Sequence, residues 1–465
     1  MPEHPDATAL LEAFADGALS PLEALDATLE RIAREDPAVN AFRIVDADRA
    51  REAAARSQAR WSRGEPAGLL DGVPVAIKDV LLTSGWPTLR GSRAVDPDRV
   101  WDVDAPSVAA LARNGAVAVG KTTTPEFGWK GVTHGPLDGV TRNPWDVTRT
   151  AGGSSGGSSA ALAAGMVPLA LGTDGGGSIR IPCGFCGLPG LKPTYGRVPA
   201  WPASPFGVLA HVGPMARTVR DVALLLDVLT EPDRRDWTAL EPEATPYRDA
   251  LGRGVEGLRV AFSPALGYAA VEPEVAAIVA RGAARLEELG AYVEEVDPGF
   301  PDPRGTFETL WFAGAGRVVA DLGDPPPTDV LDPGLVRTAA MGSRITAMEY
   351  LRAMRARDAL GLRMSEFHAT WDLLLTPTLP LPAFEAGADV PAGSSDPDWT
   401  SWTPFTFPFN LTQQPAGTVP CGFTSAGLPV GLQVVGPRYR DALVLRAMAA
   451  YEAAHPEPTV SSRSA

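Results

Sequence analysis

Two patterns of apolar and polar positions alternate along the chain. In the first, apolar residues recur with the helical period, as they do in Val275 to Leu289. Ser20-Pro21-Leu22-Glu23 adds an N-cap, a proline at the first helical position and a capping-box acid, and predicts a helix after Ser20. In the second pattern, short apolar runs lie between Gly, Pro and Asn residues, which is typical of buried strands. The runs that predict strands are Val73 to Ile77, Ala116 to Val119, Val167 to Leu171, Leu258 to Phe262 and Val430 to Val435.

Strands that alternate with helices predict an α/β fold, with a central mixed twisted sheet covered by helices on both faces. Further helices are predicted at Asp46 to Arg63, Val219 to Leu229 and Asp441 to Ala454. The Pro/Gly/Ser-rich stretch Pro380 to Asp398 has the composition of a long surface loop. We therefore expect residues 1–465 to form a single large domain, with a helical N-terminal segment over about 1–65.

Composition and charge narrow the class of protein. Apolar residues make up 45% of the 465 residues, which is enough for a large core, and the formal net charge is −15. A chain with this negative charge is poorly suited to bind phosphates or anionic lipids. We therefore expect neither nucleic acid nor a membrane as a partner. Three cysteines and an N-terminus without an export signal indicate the cytoplasm.

Three short motifs have simpler structural interpretations. Gly115 to Thr122 matches the phosphate-binding P-loop pattern, but its Ala-Val-Ala-Val centre favours a buried strand. Gly152 to Gly156 matches G-x-S-x-G, but a polar, proline-broken stretch precedes it where a nucleophile elbow requires a strand. Cys183 and Cys186 lack further ligands at metal-binding spacing, so we expect packing cysteines and no metal site.

Three other segments carry candidate chemistry together. Lys78 lies inside the apolar run Val75 to Val80, where burial would lower its pKa. A Gly/Ser tract runs from Gly152 to Gly165, and Gly172 to Arg180 reads Gly-Thr-Asp-Gly-Gly-Gly-Ser-Ile-Arg. Singly, these segments could be a strand lysine, a flexible linker and a glycine turn.

In combination and order, the three segments resemble the amidase signature family. Its hallmark is a Gly-Gly-Ser-Ser-Gly-Gly tract followed closely by Gly-Thr-Asp-x-Gly-Gly-Ser-Ile-Arg. The resemblance extends to further blocks and covers about half of the chain, with the region at about 230–400 the least typical. Those blocks are Thr122 to Thr133, Thr141 to Asp146, Gly190 to Pro199, Gly213 to Asp227 and Leu428 to Gly436.

The resemblance implies the amidase signature fold and a set of site residues. Ser178 corresponds to the nucleophile, Ser154 to a bridging serine on a cis peptide and Lys78 to the base. The remaining implied residues are the oxyanion-hole donors Gly175, Gly176, Gly177 and Ser178, the supporting residues Ser155, Asp174 and Arg180, and the pocket residues Phe127, Gly128 and Trp129. Many relatives carry Thr or Ile where this chain has Gly175, which suggests a looser pocket.

The implied chemistry depends on a neutral lysine. An ordinary lysine is neutral in about one molecule in 2,500 at pH 7, a handicap of about 4.6 kcal/mol, and burial must remove much of it. We then expect an amidase that cleaves carboxylic amides, including aryl amides or carbamates as in a urethanase, through a serine acyl-enzyme that water hydrolyses. The resemblance implies no cofactor.

The sequence leaves open the function within the family and the oligomeric state. One alternative inside the family is the glutamine-hydrolysing subunit of a tRNA amidotransferase. The segment before Asn410 lacks the acidic residue expected there to bind the amino group of glutamine, so this alternative ranks second. For the oligomeric state, a homodimer is the default expectation for a protein of this kind.

Overall fold

An eleven-stranded sheet organises the chain in the computed structural model, which describes residues 4–456, 458 and 460. The strands are β1 Phe42–Val45, β2 Pro74–Lys78, β3 Val117–Thr122, β4 His134–Gly135, β5 Gly139–Val140, β6 Arg142–Asn143, β7 Asp146–Thr150, β8 Leu169–Asp174, β9 Gly190–Lys192, β10 His211–Ala216, β11 Arg259–Phe262, β12 Tyr292–Glu295, β13 Leu373–Pro377, β14 Ala416–Phe423 and β15 Pro429–Val435. The helices are α1 Ala7–Ala15, α2 Pro21–Val39, α3 Ala47–Trp61, α4 Pro106–Arg113, α5 Gly156–Ala163, α6 Arg180–Cys186, α7 Val219–Leu229, α8 Pro273–Glu288, α9 Arg304–Ala320, α10 Pro333–Gly342, α11 Ala347–Phe367, α12 Pro408–Leu411 and α13 Asp441–Ala454.

The large sheet is mixed, as predicted, and helices flank it. Its strand order is β1-β3-β2-β8-β10-β9-β14-β15-β13-β11-β12, and β4–β5 and β6–β7 form two separate hairpins. Strand β2 runs parallel to both β3 and β8, whereas β10 is antiparallel to β8. No helix among the described residues is long and apolar enough to cross a membrane.

The N-terminal segment is not wholly helical, so the prediction for residues 1–65 was wrong in part. The capping box at Ser20 is present and starts α2, but the chain then forms β1 at the edge of the sheet, antiparallel to β3. Asn40 ends α2 in the left-handed region (φ 55°), and the Asp36 carboxylate accepts the N–H groups of Ala41 and Phe42. These contacts turn the chain out of the helix. The strand β1 that follows has only four residues, which is too short for its pattern of apolar and polar positions to predict a strand.

The strands near the site extend beyond the apolar runs that predicted them. The prediction ended β2 at Ile77, β3 at Val119 and β8 at Leu171, whereas these strands end at Lys78, Thr122 and Asp174. Apart from Gly120 and Gly172, the added residues have polar side chains, and almost all of them are buried. Because β2 and β8 are parallel neighbours, Lys78 and Asp174 come to the same edge of the sheet.

The region at about 230–400 completes the fold rather than forming a separate unit. Its strands β11, β12 and β13 continue the same sheet beyond β15, and its helix α9 packs on α10 and α11. The stretch Pro380 to Asp398 contains no helix or strand among its described residues, in agreement with the predicted loop. The chain is therefore one α/β domain.

Candidate active site

Lys78 is fully buried at the end of β2, where its side chain is surrounded by hydroxyl groups. Its Nζ lies 2.8 Å from Ser154 Oγ, 2.9 Å from Ser155 Oγ and 2.8 Å from Thr173 Oγ1. Ser155 Oγ also donates to the Thr173 carbonyl at 3.2 Å, so this hydroxyl can only accept from the lysine. A neutral amine has two N–H groups and one lone pair, so it can donate to two of these oxygens and accept from the third.

The surroundings of Lys78 favour that neutral form. Burial lowers the pKa of Lys78 well below its ordinary value, and the negative charge of Asp174 opposes this shift only in part. Within the described part of the chain, Lys78 forms no ion pair, because the Asp174 carboxylate is engaged by Arg180 at 3.0 Å. The amine can therefore accept a proton at a pH where an exposed lysine cannot.

The Gly/Ser tract is a packed part of the core, so it is not a flexible linker. Every residue from Gly152 to Ser159 is buried, and the tract leads into α5. Its glycines leave no room for side chains: a Cβ on Gly153 would lie 2.5 Å from the Val132 backbone, and one on Gly156 would lie 2.3 Å from Thr133 Oγ1. The peptide bond between Gly153 and Ser154 is cis.

Ser178 lies just before α6, beside the Gly/Ser tract. Its carbonyl accepts the N–H of Ser155 at 3.1 Å, which ties the two segments together. Ser178 and Ser154 line the same cavity, and the Ser178 hydroxyl hydrogen-bonds to none of the residues that the structure describes. This hydroxyl is therefore available to a molecule in the cavity and to its neighbours.

Asp174 and Arg180 hold the loop that carries Ser178. The guanidinium of Arg180 donates to both oxygens of Asp174 at 3.0 Å and also to Asn410 and Gln433, and all of these side chains are fully buried. Burial alone would raise the pKa of Asp174, but the charge and hydrogen bonds of Arg180 hold it below its ordinary value. Asp174 is thus a permanent anion with a structural partner and is not available as an acid or a base.

The glycines before Ser178 present backbone donors, although not all of those that the resemblance implied. The N–H of Gly177 donates to Asp174 Oδ1 at 2.7 Å and is therefore occupied. The N–H groups of Gly175, Gly176 and Ser178 have no acceptor among the described residues. Three backbone donors therefore remain unpaired, and two of these residues, Gly175 and Ser178, line the cavity.

The cavity has a volume of about 1010 Å³ and includes two of the three residues expected to border the substrate. Phe127 and Gly128 line it, and a Cβ on Gly128 would lie only 3.1 Å from Ser154 Oγ. Trp129 does not line it: this ring is 2% exposed, and its carbonyl accepts the indole N–H of Trp311. Trp129 supports the wall from behind, so its placement in the substrate pocket was wrong.

Two residues of the site were missed in the sequence. Thr173 contacts Lys78, which follows from the register of β2 on β8, where Ile77 pairs with Leu171. Trp311 of α9 lines the cavity, and its ring lies 2.7 Å from where a Cβ on Gly175 would be. The absence of a side chain at Gly175 therefore makes room for an indole, so it does not loosen the pocket. The glycine at position 175 was the only signal of Trp311.

The P-loop-like segment and the two cysteines, for which the sequence favoured simpler interpretations, are buried parts of the fold. Lys121 of the P-loop-like segment is buried in β3, where it donates to the Leu81 carbonyl and lies 3.4 Å from Asp79, as the strand interpretation predicted. Cys183 and Cys186 are buried and form no disulfide. Among the described residues, no group of three or more His, Cys, Asp or Glu side chains is arranged to hold a metal ion.

Comparisons with known proteins agree with the fold and with the motifs. The amidase family model matches residues 23–445. An acylamidase of Rhodococcus erythropolis is 38% identical over 97% of this chain and 95% of its own length. A subunit of the glutamyl-tRNA(Gln) amidotransferase of Synechococcus sp. (strain CC9605) is 37% identical over 94% of each chain. The crystal structure of a bacterial aryl acylamidase superposes with a TM-score of 0.91 at 32% identity, over 98% of this chain and 97% of that one. The chain belongs to the amidase signature family and is an enzyme that hydrolyses amide C–N bonds.

Proposed function

We propose that this enzyme is a cofactor-independent acylamidase in which Ser178 is the nucleophile, Ser154 the proton relay and Lys78 the base. The observation that carries the proposal is the fully buried Lys78 amine, which lies 2.8 Å from the hydroxyl of Ser154 at the wall of a cavity that Ser178 also lines. A serine hydroxyl attacks an amide only when a base takes its proton, and a lysine can do so only in its neutral form.

In the first half of the reaction, an acyl group is transferred to Ser178. The Ser178 hydroxyl gives its proton to Ser154 Oγ as its own oxygen attacks the carbonyl carbon, and Ser154 passes its proton to Lys78 Nζ. The tetrahedral intermediate then breaks its C–N bond. The leaving amine takes a proton from the Lys78 ammonium through Ser154, which leaves the neutral amine and an ester on Ser178.

In the second half, water replaces the amine. The neutral Lys78 takes a proton from water through Ser154, the hydroxide attacks the ester, and the acid product leaves as Ser178 regains its proton. Lys78 therefore alternates between neutral and charged forms. Its three oxygen neighbours suit both forms, since they can accept three N–H bonds from an ammonium.

The negative oxygen of each intermediate is stabilised by backbone N–H groups. Gly175, Gly176 and Ser178 supply the available donors, because Gly177 is occupied by Asp174. Preorganised donors of this kind in a buried site contribute several kcal/mol to the stability of the transition state. Ser155 acts as a positioning residue, since it holds the lysine amine at 2.9 Å.

The aromatic cavity wall supports aryl amides as the substrate class. Phe206 and Trp311 line the cavity and stack with their ring centres 3.8 Å apart, and Phe307 continues the stack behind Trp311. Aromatic walls of this type bind flat apolar groups. The likeness to an aryl acylamidase points the same way. Aryl carbamates, which place the same ring beside a carbonyl, belong to the substrates that we propose.

A second candidate function is favoured by the likeness to a tRNA amidotransferase. That function requires recognition of the amino group of glutamine and a partner that receives ammonia. The segment that packs on the glycine loop, where Thr406 Oγ1 donates to the carbonyl of Gly176 at 2.6 Å, contains no acidic residue from Trp402 to Phe409. We therefore rank this candidate second.

The test is turnover by the purified chain alone. We expect hydrolysis of 4-nitroacetanilide and phenyl carbamates without a partner or an added metal, and loss of turnover in Ser178→Ala. Glutamine hydrolysis that appears only with an amidotransferase partner would favour the second candidate. Full activity in Ser178→Ala would refute the assignment of the nucleophile.

A further inference from the structure

The catalytic cavity contains a positive charge that the proposed reaction does not use. Arg90 lines the cavity, is half-buried, and has a left-handed backbone conformation (φ 56°). Its guanidinium forms no hydrogen bond or ion pair with any residue in the part of the chain that the structure describes. A partly desolvated guanidinium without a partner is unusual, because arginine presents five donors that are ordinarily satisfied.

The carboxylate whose negative charge acts on Arg90, Asp79, is already neutralised by two other cations. Asp79 is fully buried and lies 3.2 Å from Arg43 and 3.4 Å from Lys121. Burial lowers the pKa of Arg90, and the positive charge of Arg99 lowers it further, whereas Asp79 opposes both effects. Arginine still stays charged at any working pH. Arg90 therefore brings an uncompensated positive charge to the cavity wall.

The other cations on the cavity wall are occupied or exposed. Arg235 is paired with Asp233 at 2.6 Å, and Arg317 is paired with Asp321. Arg99 is exposed, and its guanidinium lies 3.7 Å from the centre of the Trp101 ring. Arg90 is thus the half-buried cation in this wall that is open to a ligand.

The carboxylates that line the cavity do not pair with Arg90 either. Asp174 is bound to Arg180, and Asp236 accepts the N–H of Ala200 at 2.9 Å. Asp96 is exposed and accepts the N–H of Asp98. Asp96 and Arg99 have opposite charges, and no carboxylate among the described residues of the cavity wall forms an ion pair with Arg90.

The backbone of Arg90 lies a short distance from the catalytic residues, because Phe127 and Gly128 connect the two. Its carbonyl accepts the N–H of Phe127 at 2.7 Å, and at the following residue, Gly128, an added Cβ would lie 3.1 Å from Ser154 Oγ. Standard bond lengths then place the Arg90 backbone no more than about 15 Å from Ser154 Oγ. An extended arginine side chain covers part of this distance, so one substrate molecule can reach both the nucleophile and the guanidinium.

From these contacts we infer that Arg90 forms an anion subsite of the catalytic cavity, which binds a carboxylate carried by the amide substrate away from its scissile bond. This inference rests on the proposed function and narrows its substrate class to acidic amides. The carboxylate can belong to the acyl chain or to the amine that leaves. Arginine suits it, because its planar donors bind both oxygens of a carboxylate.

The experiment compares matched substrates with and without the carboxylate, using the full chain. Glutaryl-4-nitroanilide and pentanoyl-4-nitroanilide test the acyl side, and 4-acetamidobenzoate and 4-acetamidotoluene test the amine side. In the unmodified enzyme we expect kcat/KM to be higher for the acidic member of one pair. Arg90→Gln should lower that preference about tenfold to a hundredfold, which is the range for a hydrogen-bonded charge pair.

Two variants serve as controls. Arg90→Lys keeps the charge and should retain part of the preference. Arg93→Gln removes an exposed arginine of the same loop that does not line the cavity, and it should leave the preference unchanged. A preference that stays within twofold in Arg90→Gln for both pairs would overturn the inference, as would the absence of any preference in the unmodified enzyme.

Failure of the inference can be distinguished from failure of the proposed function. Turnover of the neutral anilides tests the function by itself. If they are not hydrolysed, binding of glutaryl-4-nitroanilide and of 4-acetamidobenzoate to Ser178→Ala, with and without Arg90→Gln, still tests the subsite. We expect loss of Arg90 to weaken the binding of one of these two ligands at least about tenfold, and equal binding of both would overturn the inference.

Discussion

Replacement of Lys78 by methionine should lower the activity of the enzyme and raise the stability of its fold at neutral pH. Methionine keeps an unbranched chain of similar length but has no amine. General-base catalysis contributes about 10²- to 10⁴-fold to such reactions, so kcat for a neutral anilide should fall by at least this factor. The rise of activity with pH should disappear in the residual activity, because the titrating group is gone.

At neutral pH, Lys78→Met should have a higher free energy of unfolding than the unmodified protein. Burial lowers the pKa of Lys78 in the folded protein, so the unfolded chain binds more protons at any pH between this value and about 10.4. Each unit of lowering costs about 1.4 kcal/mol in the free energy of unfolding. The cost is complete below the folded pKa and vanishes as the pH rises to about 10.4. Methionine has no such cost.

The hydroxyls that lose Lys78 offset only part of this gain. Ser155 keeps its bond to the Thr173 carbonyl at 3.2 Å, and the Ser154 and Thr173 side chains line the cavity, where water can reach them. The offset is therefore about 1–2 kcal/mol and does not depend on pH. The free energy of unfolding of Lys78→Met minus that of the unmodified protein should thus decrease as the pH rises from 7 to 10.

Both quantities are measurable on one preparation. Denaturant unfolding at several pH values gives the stability difference, and release of 4-nitroaniline gives kcat. A stability difference that is constant from pH 7 to 10 would mean that Lys78 titrates as an ordinary lysine. A loss of activity below tenfold would mean that Lys78 is not the base. Either result would be inconsistent with an uncharged Lys78 that acts as the base.

Three further changes have distinct expected outcomes. Gly175→Ala places a Cβ 2.7 Å from the Trp311 ring, so kcat/KM for anilides should fall about tenfold, and Trp311→Leu should restore part of it; additive effects in the double-mutant cycle would contradict this contact. Lys121→Met removes one of two cations from the buried Asp79, so the free energy of unfolding should fall by about 1–3 kcal/mol, and an unchanged unfolding midpoint would be inconsistent with that ion pair. Ser154→Ala interrupts the relay and should lower kcat about 10²- to 10⁴-fold with the fold intact by circular dichroism, whereas near-normal turnover would exclude a relay through this serine.

The sequence was sufficient to predict the layout of the fold and to single out Lys78, Ser154 and Ser155, whose side chains lie together in the structure. Apolar runs identified the central strands, because a strand buried on both faces has few polar residues. The ends of these strands were not predictable, since Lys78, Thr122 and Asp174 continue the ladder although they are polar. Their polar groups are satisfied by partners that are distant in sequence, such as Ser158 for Thr122.

Tertiary contacts account for what the sequence could not indicate. The contact of Thr173 with Lys78 depends on strand register, and the packing of Trp311 beside Gly175 joins residues that are far apart in the chain. The occupied N–H of Gly177 depends on the rotamer of Asp174, which Arg180 holds. The cytoplasmic location and the homodimer stay predictions.

The proposed mechanism requires an uncharged Lys78 that accepts the proton of Ser178 through Ser154. The most direct test is the rate of acylation of Ser178, measured in single turnovers of a neutral anilide between pH 5 and 9. If Lys78 is the base, this rate rises with pH through one ionisation whose midpoint lies well below about 10.4. An acylation rate that is flat from pH 5 to 9, with bond cleavage limiting, would contradict it.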